Sequence, residues 1–369
     1  MKYLKEYRDP ELIQYYLAEL HKRALKPCTI MEVCGGQTHS LVKNGILELL
    51  PPAITMVHGP GCPVCVTPVS IIDEAIFLSG QPQVMLCSYG DMLRVPGTQK
   101  SLLEAKAAGA DIRILYSPLE AVSLAAQHPD KEIVFFAVGF ETTAPANAMS
   151  VVMADKQGIR NYSILTSQVL VPPAMEALLN DPEHRIDAFL AAGHVCTIMG
   201  TEAYEPIARK YKKPIVVTGF EPVDLLQGIL KAVVQLEQGL YLVENQYRRI
   251  VTTAGNRKAQ ETIDAVFSIQ DRNWRGLGSI PQSGYEVNER YQHYNARMKF
   301  QLHEQQVEDD AICLSGAIMK GLKKPFECPH FGKACQPQHP LGAPMVSNEG
   351  ACAAYYHYHL SKQQTTNLS

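Results

Sequence analysis

From residue 29 to residue 218, short β-branched runs alternate with helix-patterned stretches, and few architectures accept that alternation. Runs at 29–33, 53–57, 83–87 and 112–116 read as buried strands, interspersed with helices at 71–78 and 99–108. A second set follows, with strands at 133–138, 162–166, 186–191 and 214–218 and helices at 174–180 and 222–238. Strands that are apolar throughout are covered on both faces, and strands joined through helices pair in parallel. The expected fold class is therefore α/β, with two similar parallel-sheet units at 1–130 and 131–270. Ahead of the first strand, Asp9 and Pro10 mark a helix start, followed by the stripe Leu12, Ile13, Tyr16, Leu17 and Leu20.

From about residue 271 the pattern lapses. Residues 274–278 and 281–285 read as loops, and long apolar stretches are few. The third unit, 271–369, is expected to be small, mostly irregular or helical, and organised around a metal whose binding supplies folding energy. Its cysteines point that way. Cys313, Cys328, Cys335 and Cys352 follow the spacing C-x14-C-x6-C-x16-C in a stretch rich in Pro, Gly and His. Four thiolates fill one [4Fe-4S] cluster or one tetrahedral zinc site. The spacing is too open for a compact ferredoxin run and lacks the paired knuckles of most zinc ribbons. The residues thus indicate a metal site without naming the metal.

The chain has 369 residues and 10 Cys, long enough to bury a core without disulfide staples. Cys34 stands in Cys34-Gly35-Gly36-Gln37-Thr38-His39, and a second group reads Gly59-Pro60-Gly61-Cys62-Pro63-Val64-Cys65. A C-x-x-C beside strand–helix alternation reads as redox or metal chemistry, although two buried structural cysteines in a turn have the same spacing. The glycines let the backbone approach a ligand, and nearby N–H groups stabilise a thiolate. His39 is a candidate second ligand, proton carrier or thiol activator. In Gly139-Phe140-Glu141-Thr142-Thr143-Ala144-Pro145, Glu141 can orient a ligand or act as acid or base, and Thr142 or Thr143 with Pro145 can equally start a helix. His194 in Gly193-His194-Val195-Cys196 is a weaker candidate, and Cys28, Cys87 and Cys196 read as core.

In open parallel sheets, ligands bind beyond the C-terminal strand ends. Cys34, residues 59–65, 89–97 and 139–145, and His194 each follow an expected strand, so these loops should converge on one cleft between the two units. Residues 136–141 and 216–221 both end a strand in Gly-Phe-Glu, a match too short to establish duplication. Neither G-x-G-x-x-G nor G-x-x-x-x-G-K-[ST] occurs, so the usual dinucleotide and P-loop sites are unsupported. A net charge of -3 gives no case for nucleic-acid or anionic-membrane partners. The N-terminal residues lack a signal-peptide core, and no apolar run reaches the ~18 residues of a spanning helix. A reducing, cytoplasmic location is expected.

Taken together, the 34–39, 59–65, 139–145 and 193–196 motifs and the late cysteine spacing resemble the hydrogenase maturation factor HypD family along essentially the whole chain. The resemblance implies two similar α/β domains plus a cluster domain. It implies a redox-active metallocofactor assembly factor, rather than a conventional turnover enzyme, that helps build the Fe(CN)2CO unit of [NiFe]-hydrogenases. Partners would be a HypC-type small scaffold protein, a HypE-type cyanide donor and, indirectly, the hydrogenase large subunit. Cys313, Cys328, Cys335 and Cys352 would hold a [4Fe-4S] cluster. Cys34 would ligate Fe(II) carrying cyanide and CO as transient cargo, shared with a HypC cysteine. Cys62 and Cys65 would form a redox-active pair that can also contact the iron, passing electrons from the cluster. The resemblance also implies variation between Ser and Cys at position 196, which argues against a catalytic role for Cys196. Two other readings fit the residues: a stand-alone iron–sulfur thiol/disulfide reductase, and a binding protein with a structural zinc site.

Overall fold

The computed structural model describes residues 5–302 and 312–366, with side chains through Tyr358. The N-terminal reading begins on residues 1–4 and the expected third unit includes 303–311 and 367–369, all outside the described residues. The strands are β1 (Cys28–Glu32), β2 (Ile54–His58), β3 (Val84–Ser88), β4 (Ile112–Ile114), β5 (Glu132–Gly139), β6 (Tyr162–Val169), β7 (Ala188–Ala192), β8 (Ile215–Thr218), β9 (Val243–Asn245), β10 (Phe267–Trp274) and β11 (Gly278–Val287). All eight strands expected from the sequence are present. Asp9 caps the first long helix, Pro10–Arg23, by accepting from the Glu11 N–H.

The strands form two sheets, so the α/β class with two mostly parallel sheets is observed. One has the order β2-β1-β7-β8-β9 and is parallel throughout. The other has the order β10-β11-β6-β5-β3-β4, parallel from β6 to β4 and antiparallel at β10 and β11. Residues 133–137 of β5 are fully buried, as a strand covered on both faces must be.

The sheets do not follow the boundaries at 130 and 270. The chain lays down β1 and β2, crosses to build β3–β6, returns for β7–β9, and crosses back for β10 and β11. Consecutive strands usually neighbour one another, which is why the sequence reading grouped them in chain order. Here β1 lies between β2 and β7.

Of the loops expected at 274–278 and 281–285, the first holds the turn of the β10–β11 hairpin, and the second is corrected, because 281–285 lie within β11. Trp274 pairs with Gly278, leaving a three-residue turn, Arg275-Gly276-Leu277. Gly276 has φ 77°, the left-handed geometry such turns require. The register slips between Gln270 and Arg272, and half of β10 is exposed without alternating, so no clean alternation marks it in the sequence. Residues 312–366 are short helices and turns, from Ser315–Met319 to Ala351–Thr366. The last helix packs on Gly35–Lys43, burying Tyr355 and Met345 beside Val42. Among the described residues no helix is long and apolar enough to cross a membrane.

Candidate metal and thiol centre

Cys34 lies two residues beyond β1 and is the N-cap residue of the helix Gly35–Lys43. Because β2 and β7 flank β1, the loop after β2 and Gly193-His194 after β7 are brought to either side of Cys34. The Cys34 N–H donates to Glu32 Oε2 at 2.9 Å, and the Gly35 N–H to the Gly61 carbonyl at 2.8 Å. A Cβ on Gly61 would stand 2.3 Å from Cys34 N, so only glycine lets the 59–65 loop lie this close.

The Cys34 sulfur is 3.6 Å from His194 Nδ1, with the Phe220 ring tilted against the imidazole at 5.3 Å. Burial pushes the Cys34 thiol well above its ordinary pKa, the Glu349 and Glu32 charges add to this, and N–H groups of Gln37 and Gly36 oppose it. The helix N-terminus favours a thiolate, but Cys34 is only 3% exposed and burial wins. Burial likewise pushes His194 down to about 4. At neutral pH both groups are uncharged, and a bound cation is what would stabilise the thiolate.

Cys62 and Cys65 are joined by a disulfide, with Cα atoms 5.2 Å apart. Both are buried in the core cluster that holds Cys34, Phe140, Cys196, Tyr204 and Trp274. That cluster draws on the ends of both sheets, so the 34, 59–65, 139–145 and 193–196 loops do converge. The 89–97 loop instead reaches the C-terminal segment, where Arg94 donates to the Val346 carbonyl.

His39 is not beside the Cys34 thiol. Five residues along a helix turn it by roughly 140°. Its ring lies 3.3 Å from the Asn348 carbonyl and 3.5 Å from the Tyr358 hydroxyl, joining the first helix of the site to the C-terminal segment. The imidazole next to the thiol is that of His194. Glu141 is buried, and its Oε1 accepts from the Val171 N–H, the first residue of the helix Val171–Asn180, at 2.9 Å. Its Oε2 has no hydrogen-bond partner among the described residues, and burial raises its pKa to about 7. Thr143 is the N-cap residue of the helix Ala144–Lys156, with Pro145 in its first turn, but its Oγ1 makes no capping bond and donates instead to the Phe140 carbonyl. Cys87 and Cys196 are core residues, each pushed up to about 12 by burial.

The residues missed in the sequence lie behind Cys34. Glu32 is fully buried and also accepts from the Thr38 hydroxyl. His58 Nδ1 lies 2.7 Å from Glu32 Oε1, and His58 Nε2 lies 2.9 Å from the Tyr355 hydroxyl. A carboxylate ending an apolar strand two residues before a cysteine is the one signal that could have found Glu32.

Cys313, Cys328, Cys335 and Cys352 are free thiols, Cys335 buried and the other three half-buried. Burial raises Cys352 well above the ordinary thiol range, and the charges of Cys313, Cys335 and Cys328 raise it further. The Leu341 N–H donates to the Cys335 sulfur at 3.4 Å. A Cβ on Gly342 would fall 2.2 Å from the Cys313 sulfur, so glycine keeps that approach open. Among the described residues, no three His, Cys, Asp or Glu side chains gather at the spacing of a single bound ion. The donor set, four free thiols on one segment with a backbone N–H on the Cys335 sulfur and Cys352 raised by the other three, fits a group held by four thiolates.

The HypD family model, described as "Hydrogenase formation hypA family", matches residues 11–359. The chain is 46% identical over 370 residues to the hydrogenase maturation factor HypD of Rhodobacter capsulatus, covering 97% of this chain and 98% of that protein. It is 46% identical over 366 residues to HypD of Escherichia coli K12, with 97% and 98% covered. It is 44% identical over 378 residues to the hydrogenase expression/formation protein HupD of Azotobacter chroococcum mcd 1, with both chains covered completely. With a family match over nearly its whole length and full-length relatives at this identity, the chain belongs to the HypD family.

Proposed function

We propose that this chain is a hydrogenase maturation factor that holds iron at Cys34 while cyanide and CO are attached, giving the Fe(CN)2CO unit. The observation that carries the reading is the meeting of the Cys34 backbone with the Cys62–Cys65 loop, through Gly61, at adjacent strand ends, with all three cysteines in one buried cluster. Low-spin Fe(II) bearing cyanide and CO takes soft thiolate co-ligands. A HypC-type partner supplies a second thiolate and a HypE-type donor supplies cyanide; the completed unit then passes to the hydrogenase large subunit.

The chain's own residues divide the work. Cys34 binds the iron substrate and must lose its proton to do so; His194 Nδ1, 3.6 Å away, is the acceptor beside it. The Cys62–Cys65 disulfide takes up two electrons and two protons to become a dithiol, and returns both on reoxidation. Phe220 and the surrounding core keep water from the thiol. Cys313, Cys328, Cys335 and Cys352 would hold a [4Fe-4S] cluster, which when bound supplies electrons one at a time.

The test is a Cys62→Ser/Cys65→Ser double variant, co-expressed with the partners. Its iron and acid-labile sulfide should match the unsubstituted protein, while hydrogenase maturation stops. Undiminished maturation would refute a redox role for the pair.

A further inference from the structure

A buried chain of polar side chains joins the end of β1 to the last helix. Glu32 receives the Cys34 N–H at 2.9 Å, the Thr38 hydroxyl, and His58 at 2.7 Å. His58 Nε2 in turn lies 2.9 Å from the Tyr355 hydroxyl, so the contacts run unbroken from Tyr355 through His58 to Glu32. Tyr355 follows Cys352 by three residues on the helix Ala351–Thr366, so its hydroxyl is carried by the same turn as that cysteine. Half-buried Lys324 faces the Glu32–His58 pair and donates to the Met56 carbonyl.

Packing alone does not require this arrangement. A carboxylate and an imidazole placed in a core cost free energy that apolar residues of the same volume would not. What they provide is direction. Glu32 grips the first helical turn of the Cys34 loop at both ends, at the Cys34 N–H and the Thr38 hydroxyl. Its third contact leads to the four-cysteine segment.

We infer that Glu32, His58 and Tyr355 are positioning residues that fix the Cys34 loop relative to the helix beginning at Ala351, and so set the geometry of the iron bound at Cys34. The inference rests on the iron-assembly reading above. Groups that orient a ligand from behind typically change metal loading or activity by roughly 10- to 100-fold when removed.

Tyr355→Phe deletes one oxygen and keeps the ring against His58 and Phe326. Thr38→Val and Thr38→Ser approach the same carboxylate from its other side, with Ser restoring the donor. Each is co-expressed with a HypC-type partner and compared with the unsubstituted protein for iron, acid-labile sulfide and infrared bands of iron-bound cyanide and CO. The expected result is unchanged sulfide in Tyr355→Phe and Thr38→Val, with bands about 10-fold weaker and displaced, and recovery in Thr38→Ser. Bands of ordinary position and intensity in both variants would overturn the inference. So would loss of sulfide together with the bands, because the chain would then serve only the four-cysteine segment. Absence of bands from the unsubstituted protein would instead refute the iron-assembly reading itself.

Discussion

The Cys34 sulfur stands 3.6 Å from His194 Nδ1, on the loops of two neighbouring parallel strands, with both groups held uncharged by burial. A thiol in this state is a latent ligand: it is shielded from oxidation and alkylation until a cation stabilises its thiolate.

Cys34 of the metal-free protein should therefore alkylate slowly at pH 8, and its rate should keep rising beyond pH 9, because burial holds its pKa well above the ordinary range. Phe220→Ala, which removes the ring over Gly36 and His194, should accelerate labelling several-fold. Iodoacetamide labelling read by mass spectrometry checks both. A rate that levels off between pH 7 and 8 would mean a preformed thiolate.

Glu141 makes stability depend on pH in a defined direction. Its pKa rises from 4.5 to about 7 on burial. A raised carboxyl pKa contributes stability that is fully present below pH 4.5 and is lost as pH climbs through about 7. Glu141→Gln keeps an oxygen for the Val171 N–H and removes the titration. Relative to the unsubstituted protein it should gain stability between pH 5 and pH 8, by about 3 kcal/mol at most. Urea unfolding at several pH values measures this; a gain that is flat across the range would contradict it.

Gly61 and Gly80 offer a matched pair. Alanine at 61 would drive a Cβ to 2.3 Å from Cys34 N, whereas at 80 the nearest atom is 3.4 Å away. Gly61→Ala should cost about 3 kcal/mol, and Gly80→Ala less than about 0.5 kcal/mol. Thermal unfolding of the two variants separates them.

Replacing any one of Cys313, Cys328, Cys335 or Cys352 by Ser should lower iron and acid-labile sulfide together, while Cys87→Ser leaves both intact. A colourless protein with one zinc and no sulfide would establish the structural-zinc reading instead.

The residues disclosed the strands and the loops they feed, because continuous apolar runs such as 133–138 carry their own burial signal. They did not disclose that β1 pairs with β7, since parallel pairing across a long crossover leaves no local mark on either strand. The β10–β11 hairpin escaped for a related reason: its half-exposed first strand and register slip remove the alternation that identifies a strand, and only Gly276 hints at the turn. Within the site, proximity in sequence favoured His39, but helical geometry turns it away, and the sheet order delivers His194. The Glu32–His58–Tyr355 chain depends on the C-terminal helix packing against the first sheet, a contact that no spacing encodes.

The central claim is that iron carrying cyanide and CO is held at Cys34. The direct measurement is the infrared spectrum of anaerobically purified protein co-expressed with a HypC-type partner, beside its Cys34→Ala variant. The account predicts cyanide and CO stretching bands in the first and none in the second, with equal sulfide in both. Bands that survive in Cys34→Ala would contradict it, and no bands in either sulfide-containing protein would favour a thiol/disulfide reductase.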